Sequence, residues 1–147
     1  MATLHIVFDL DDTLYPERDY AIGGFRAASE WAQRELGVRD ITDDLVRHLD
    51  DGHLGRSFAL ALEAVRPDHT KDHLKAMFAA YAAHAPSLRL FDDALDVLDR
   101  YRGRPLGMIT DGHAKTQASK VEALALASRF AEIVYTGALG PDRAFHK

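Results

Sequence analysis

The apolar run LHIVF at residues 4–8 stops on Asp9, and three of the four positions from 9 to 12 are acidic: Asp9, Asp11 and Asp12. A short apolar run bounded by a charge reads as a buried strand of a parallel sheet. The acidic cluster then falls at the C-terminal end of that strand. Carboxylates this close repel and raise one another's pKa, so the cluster calls for a partner that offsets the repulsion.

Pro16 breaks the extended pattern, and from about Tyr20 the spacing becomes helical. Phe25, Ala28, Ala32 and Leu36 fall on one face, with Gly37 placed to end the helix. Helical stretches follow over 43–49, over 55–65 with Phe58, Leu62 and Val65 aligned, and over 70–83 with Leu74, Met77, Phe78 and Tyr81. Trp31, Phe58 and Phe78 are expected in the core of this segment. After Pro86 the pattern alternates: a helix near 92–101, the strand LGMIT, a helix near 114–125, and the strand EIVYTG at 132–137. The expected fold class is therefore α/β. A Rossmann-like parallel sheet core comprises residues 1–16 and 87–147, and an all-helical cap is inserted at 17–86. Ligands of open parallel sheets bind beyond the carboxyl ends of the strands, and Asp9 and Thr110 both stand at such ends.

Composition narrows the function. The chain has 147 residues, 47% hydrophobic and 28% charged, an ordinary globular balance. Its 18 basic and 23 acidic residues give a net charge of -5, which predicts no nucleic-acid partner. The absence of cysteine excludes disulfides, thiolate catalysis and cysteine-ligated zinc within this chain. MATLHIVFDLDD has no basic region ahead of its apolar run and no stretch reaches membrane-spanning length, so no secretory signal and no membrane partner are expected. A cytoplasmic enzyme or binding protein is the expectation.

Several chemistries suit the acidic cluster. Carboxylates can hold a hard cation such as Mg²⁺, which takes oxygen ligands and keeps waters and substrate phosphate in its shell. A strand-end carboxylate, Asp9, can attack phosphorus, and Asp11, two residues on and on the same side of an extended backbone, can serve as general acid and then base. Thr110, ahead of a glycine and a helix, can offer a hydroxyl and nearby N–H groups to phosphate oxygens, and Lys147 can neutralise transferring charge. Asp12 faces away from the other two and reads as solvated or helix-capping. Thr13 either orients the nucleophile or closes the turn, and Asp111 and Gly112 either shape a tight turn or touch phosphate. His69 and His73, four apart, could share a helix face, although two ligands do not complete a zinc site. Tyr15, Arg18, Tyr20, His53 and Arg56 are candidates for contacting substrate.

These residues resemble the haloacid dehalogenase-like hydrolases, in their capped phosphatase branch. FDLDDTL is similar to that family's first motif, Asp-x-Asp-x-Thr, with Asp9, Asp11 and Thr13 in the matching places. GMITDG resembles the second motif at Thr110, and HK, ending at Lys147, resembles the start of the third. The resemblance implies a Mg²⁺-dependent phosphohydrolase for a small phosphorylated metabolite of nucleotide or sugar type, working through an aspartyl-phosphate on Asp9. It assigns Asp9 and the Asp11 backbone carbonyl to the metal, and Thr110, Asp111, Gly112 and Lys147 to phosphate. Asp11 points to phosphate esters, because the dehalogenases proper do not carry Asp there. The family's fourth motif, an acidic pair, follows the lysine of the third. The C-terminal part of the core is therefore expected to be missing from these residues, with a second chain as the partner that could supply it. Two alternatives stay open: a catalytically incompetent module that binds phosphate or a protein, and a phosphomutase of the same family.

Overall fold

The computed structural model describes residues 5–139. Three strands, β1 (Ile6–Phe8), β2 (Leu106–Thr110) and β3 (Glu132–Tyr135), form a parallel sheet in the order β1-β2-β3. Phe8 pairs with Met108, Met108 with Ile133, and Thr110 with Tyr135. Parallel neighbours need long crossovers. The residues between β1 and β2 hold α1 (Glu17–Leu36), α2 (Thr42–Asp50), α3 (Ser57–Val65), α4 (Lys71–Ala83) and α5 (Asp92–Arg100), and α6 (Ala114–Ala123) joins β2 to β3.

The chain divides into two compact units, one of residues 1–20 with 86–147 and one of residues 21–85. In the first, Leu106, Met108 and Thr110 turn one face of β2 into the core with Leu98, Val121 and Leu126. Phe8 closes edge-on against Phe130, their ring centroids 5.9 Å apart. The opposite face is different from the sequence expectation. LHIVF reads as a strand buried on both sides, yet Val7 is 55% and Ile109 43% exposed. The described residues cover the sheet on one face only, and β1 is an edge strand among them.

The second unit is all helical, around Phe25, Ala28, Ala32, Ile41, Leu45, Leu62 and Met77. Gly37 ends α1 as expected, with φ +66° and its N–H donating to the Gln33 carbonyl. Trp31 and Phe58 are partly buried against this core. Phe78 is not in it. At 59% exposure it lies one position round the helix from buried Met77, which takes the core-facing place, and it stacks on Tyr81 instead. The histidine pair is also reassigned. The helix begins at Lys71, so His69 precedes it, and His73 serves the N-cap by accepting the Thr70 N–H while donating its own N–H to the Thr70 hydroxyl. The two do not share a helix face.

Candidate active site

The polypeptide leaves β1 at Phe8 and turns at once. The N–H groups of Thr13 and Leu14 both donate to the Leu10 carbonyl, and buried Leu10 and Leu14 anchor the turn from beneath. Asp11 follows Leu10 where this turn opens, and it pairs with Tyr15 in an isolated bridge. Asp12 adopts a left-handed conformation, φ +54°, and its exposed carboxylate accepts the Glu17 N–H at 2.9 Å, capping the start of α1. That cap explains why α1 begins three residues ahead of Tyr20, where the apolar periodicity starts.

Asp9 stands half-buried directly after β1, and Thr110 is the fully buried last residue of β2, the neighbouring strand. Between Thr110 and α6 lie Asp111 and Gly112. Gly112 has φ +123°, a conformation that a side chain would strain. Asp111 accepts a hydrogen bond from the Thr136 hydroxyl just beyond β3. Gly137 approaches so closely that a Cβ there would lie 2.1 Å from the Gly112 carbonyl oxygen. The loops after β2 and β3 are thus held together at the carboxyl end of the sheet.

The Asp11 carboxylate accepts three side-chain donors. Its Oδ1 accepts the Tyr15 hydroxyl at 2.5 Å and the Lys120 ammonium at 2.8 Å, and its Oδ2 accepts the Gln117 amide at 2.8 Å. The same Gln117 nitrogen donates to the Thr110 hydroxyl at 2.5 Å. An amide nitrogen carries two protons, so one side chain ties Asp11 to Thr110. Gln117 and Lys120 lie one turn apart on α6, on the stripe that also carries buried Val121 and Leu124. Both are themselves buried. Lys120 also lies 3.9 Å from Glu17 and 4.7 Å above the Tyr20 ring, within reach of a cation–π contact. Burial, with the charge of Asp11 beside it, pushes the Glu17 carboxyl upward despite the counteracting Lys120. Burial and the Asp11 hydrogen bond drive the Tyr15 hydroxyl far above its ordinary range, so Tyr15 remains a donor at every working pH.

The expected substrate contacts fare unequally. Tyr15 is 0% exposed and its hydroxyl is occupied by Asp11, so it stands behind the carboxylate and supports it. Tyr20 is 3% exposed beneath Lys120. Neither presents a surface to substrate, because both rings fill the core where α1 begins. Arg18 is exposed in the first turn of α1. His53 and Arg56 are exposed on the helical unit, around the turn that leads into α3. Thr13 is exposed in the β1 turn. Lys147 lies outside the described residues. Gln117 and Lys120 do not figure among the sequence candidates, although their signal is present: two polar residues on positions that the helical period reserves for the core.

Among the described residues, no group of three or more His, Asp or Glu side chains converges to hold a metal. The Asp11 carboxylate is engaged by its three donors. No helix among the described residues is long and apolar enough to cross a membrane.

No curated protein matches the chain. Among solved structures it is similar to a HAD-superfamily hydrolase of subfamily IA from Geobacter sulfurreducens, with TM-score 0.63 and 16% identity over 90% of this chain and 62% of that one. It is also similar to a protein from Haemophilus somnus described as a predicted phosphoglycolate phosphatase, with TM-score 0.61 and 19% identity over 94% of this chain and 64% of that one. A third is a HAD-hydrolase from Bacillus subtilis bound to magnesium, with TM-score 0.54 and 16% identity over 91% of this chain and 64% of that one. This chain therefore spans less than two thirds of each. At these identities the likeness shows the fold, a Rossmann-like α/β core. The family model for haloacid dehalogenase-like hydrolases matches residues 3–143. On that match, the chain belongs to the haloacid dehalogenase-like hydrolase family.

Proposed function

We propose that the protein is a Mg²⁺-dependent phosphohydrolase of small phosphate monoesters, of nucleotide or sugar phosphate type, with Asp9 as nucleophile and Asp11 as acid and base. The observation that carries the reading is the single network joining Asp11 to Thr110 through Gln117, beside Asp9 at the end of the adjacent strand. The description of one fold relative as a predicted phosphoglycolate phosphatase is in keeping with the ester class.

In this reading an Asp9 carboxylate oxygen attacks phosphorus, the bond from phosphorus to the leaving oxygen breaks, and Asp11 supplies that oxygen with a proton. Asp11 then takes a proton from water as its oxygen attacks the aspartyl-phosphate, which releases inorganic phosphate and restores Asp9. The Thr110 hydroxyl, the Asp111–Gly112 backbone and Lys147 hold phosphoryl oxygens. Thr13 orients Asp9 from the same turn. The Asp9 carboxylate and Asp11 carbonyl would hold Mg²⁺, which when bound offsets charge on the phosphoryl oxygens. In this reading the helical unit, residues 21–85, is the cap that selects the substrate; His53 and Arg56 belong to it, and Arg18 stands on the other unit. The working compartment is the cytoplasm.

The test is phosphate release from an aryl phosphate with and without Mg²⁺. Release that requires the metal and falls at least about a thousandfold in Asp9→Asn, with the circular dichroism spectrum unchanged, is the expected result. Undiminished turnover by Asp9→Asn would overturn the nucleophile assignment. Transfer of the phosphoryl group to a second metabolite in place of water would move the reading to a phosphomutase.

A further inference from the structure

We propose that Gln117 and Lys120 are positioning residues that clamp the Asp11 carboxylate and lock its register to the Thr110 hydroxyl. The proposal rests on the phosphohydrolase reading for its catalytic consequence, and on geometry alone for the clamp itself.

Burial gives the first argument. Gln117 is 2% and Lys120 3% exposed, and both occupy the apolar stripe of α6. Burying an amide and an ammonium is unfavourable unless each is satisfied. Apolar residues at these positions would pack against the same sheet without that cost, so packing does not account for their chemistry.

The division of labour gives the second. Lys120 and Tyr15 both address Asp11 Oδ1, whereas Gln117 addresses Oδ2. The carboxylate cannot rotate about its Cβ–Cγ bond without breaking hydrogen bonds on both oxygens, one of them to a full positive charge. Gln117 spends its second proton on Thr110, and so couples two groups that are 99 positions apart in sequence to one rigid helix. Acid–base efficiency depends on placement, and a displacement of about 1 Å can cost about a hundredfold in rate.

The two members have separable consequences. Lys120 is enclosed by Asp11, Glu17 and the Tyr20 ring, so Lys120→Met lowers kcat by about a hundredfold and leaves KM within about twofold. Gln117 orients Thr110 as well as Asp11, so Gln117→Leu lowers kcat and raises KM together.

Two measurements on the intact protein test this. The first is nitrogen-15 NMR of the lysine ammonium groups. A buried, ion-paired Lys120 gives a slowly exchanging ammonium resonance, identified by its loss in Lys120→Met, and it shifts or disappears in Asp11→Asn. A Lys120 resonance unaffected by Asp11→Asn would overturn the clamp, whether or not the protein is a phosphatase. The second is the turnover of Lys120→Met in the wild-type and Asp11→Asn backgrounds. If Lys120 acts through Asp11, its substitution costs little further activity once Asp11 is already changed. An equal loss in both backgrounds overturns the positioning role. If the unmodified protein releases no phosphate from any monoester, the phosphohydrolase reading fails, and the ammonium resonance decides the clamp by itself.

Discussion

At 4% side-chain exposure, the Lys120 ammonium has left water almost completely, and its compensation comes from Asp11 at 2.8 Å with Glu17 more remote at 3.9 Å. Breaking a buried pair from one side leaves an uncompensated charge, whereas breaking it from the other leaves a carboxylate that still has partners. Asp11→Leu is therefore expected to destabilise the protein by about 3–5 kcal/mol. Lys120→Met leaves the Asp11 side chain 20% exposed and bonded to Tyr15 and Gln117, and costs less than half as much. Urea unfolding of the two variants checks the asymmetry; equal losses would mean that Lys120 is not the desolvated partner. This pairing was hard to read from the sequence, because Asp11 and Lys120 are 109 positions apart and no local pattern links them. The strand-end positions of Asp9 and Thr110 were legible because strand ends are local. Asp12, expected to be solvated or helix-capping, is exposed and accepts the Glu17 N–H.

At the scale of the element, strands and helices followed from their apolar periods, and the departures came from end chemistry. The expected α4 start, Thr70, is instead its N-cap, because Thr70 and His73 form a reciprocal cap. Phe78 was misplaced because two adjacent apolar residues, Met77 and Phe78, compete for one inward direction and only one wins. The loop after β3 makes a sharper prediction. Gly137→Ala drives a methyl group into the Gly112 carbonyl, and backbone cannot yield as a flexible side chain can. A loss of about 1–3 kcal/mol is expected, with a drop in phosphate release, because Gly112 lies two residues beyond Thr110 in the same loop. Gly55→Ala is the control: its Cβ would meet nothing within 4 Å, so its thermal midpoint should hold. In α2, buried Asp44 is drawn below the usual carboxylate range. Burial opposes that shift, but hydrogen bonds and charge from Arg39 and Arg47 outweigh it. Because the folded value is depressed, the stabilisation is present above the unfolded pKa and is lost as pH falls below about 4. Asp44→Asn should flatten the acid limb of stability against pH; an unchanged slope would contradict the pairing.

At the scale of the molecule, alternation of strands and helices specified a parallel sheet, and residues 21–85 form a helical unit with its own core. The solvent-facing side of the sheet, at Val7 and Ile109, was not legible, because an apolar strand reads as buried whether or not cover is present within the same stretch of chain. The central claim concerns covalent chemistry at Asp9, and intact mass spectrometry tests it most directly. Asp11→Asn protein, mixed with an aryl phosphate and Mg²⁺, should gain the mass of one phosphoryl group, because attack by Asp9 proceeds while hydrolysis of the phosphoenzyme stalls. The same experiment on Asp9→Asn should give no adduct. A phosphoryl adduct that survives Asp9→Asn, or phosphate release that never passes through one, would contradict the account.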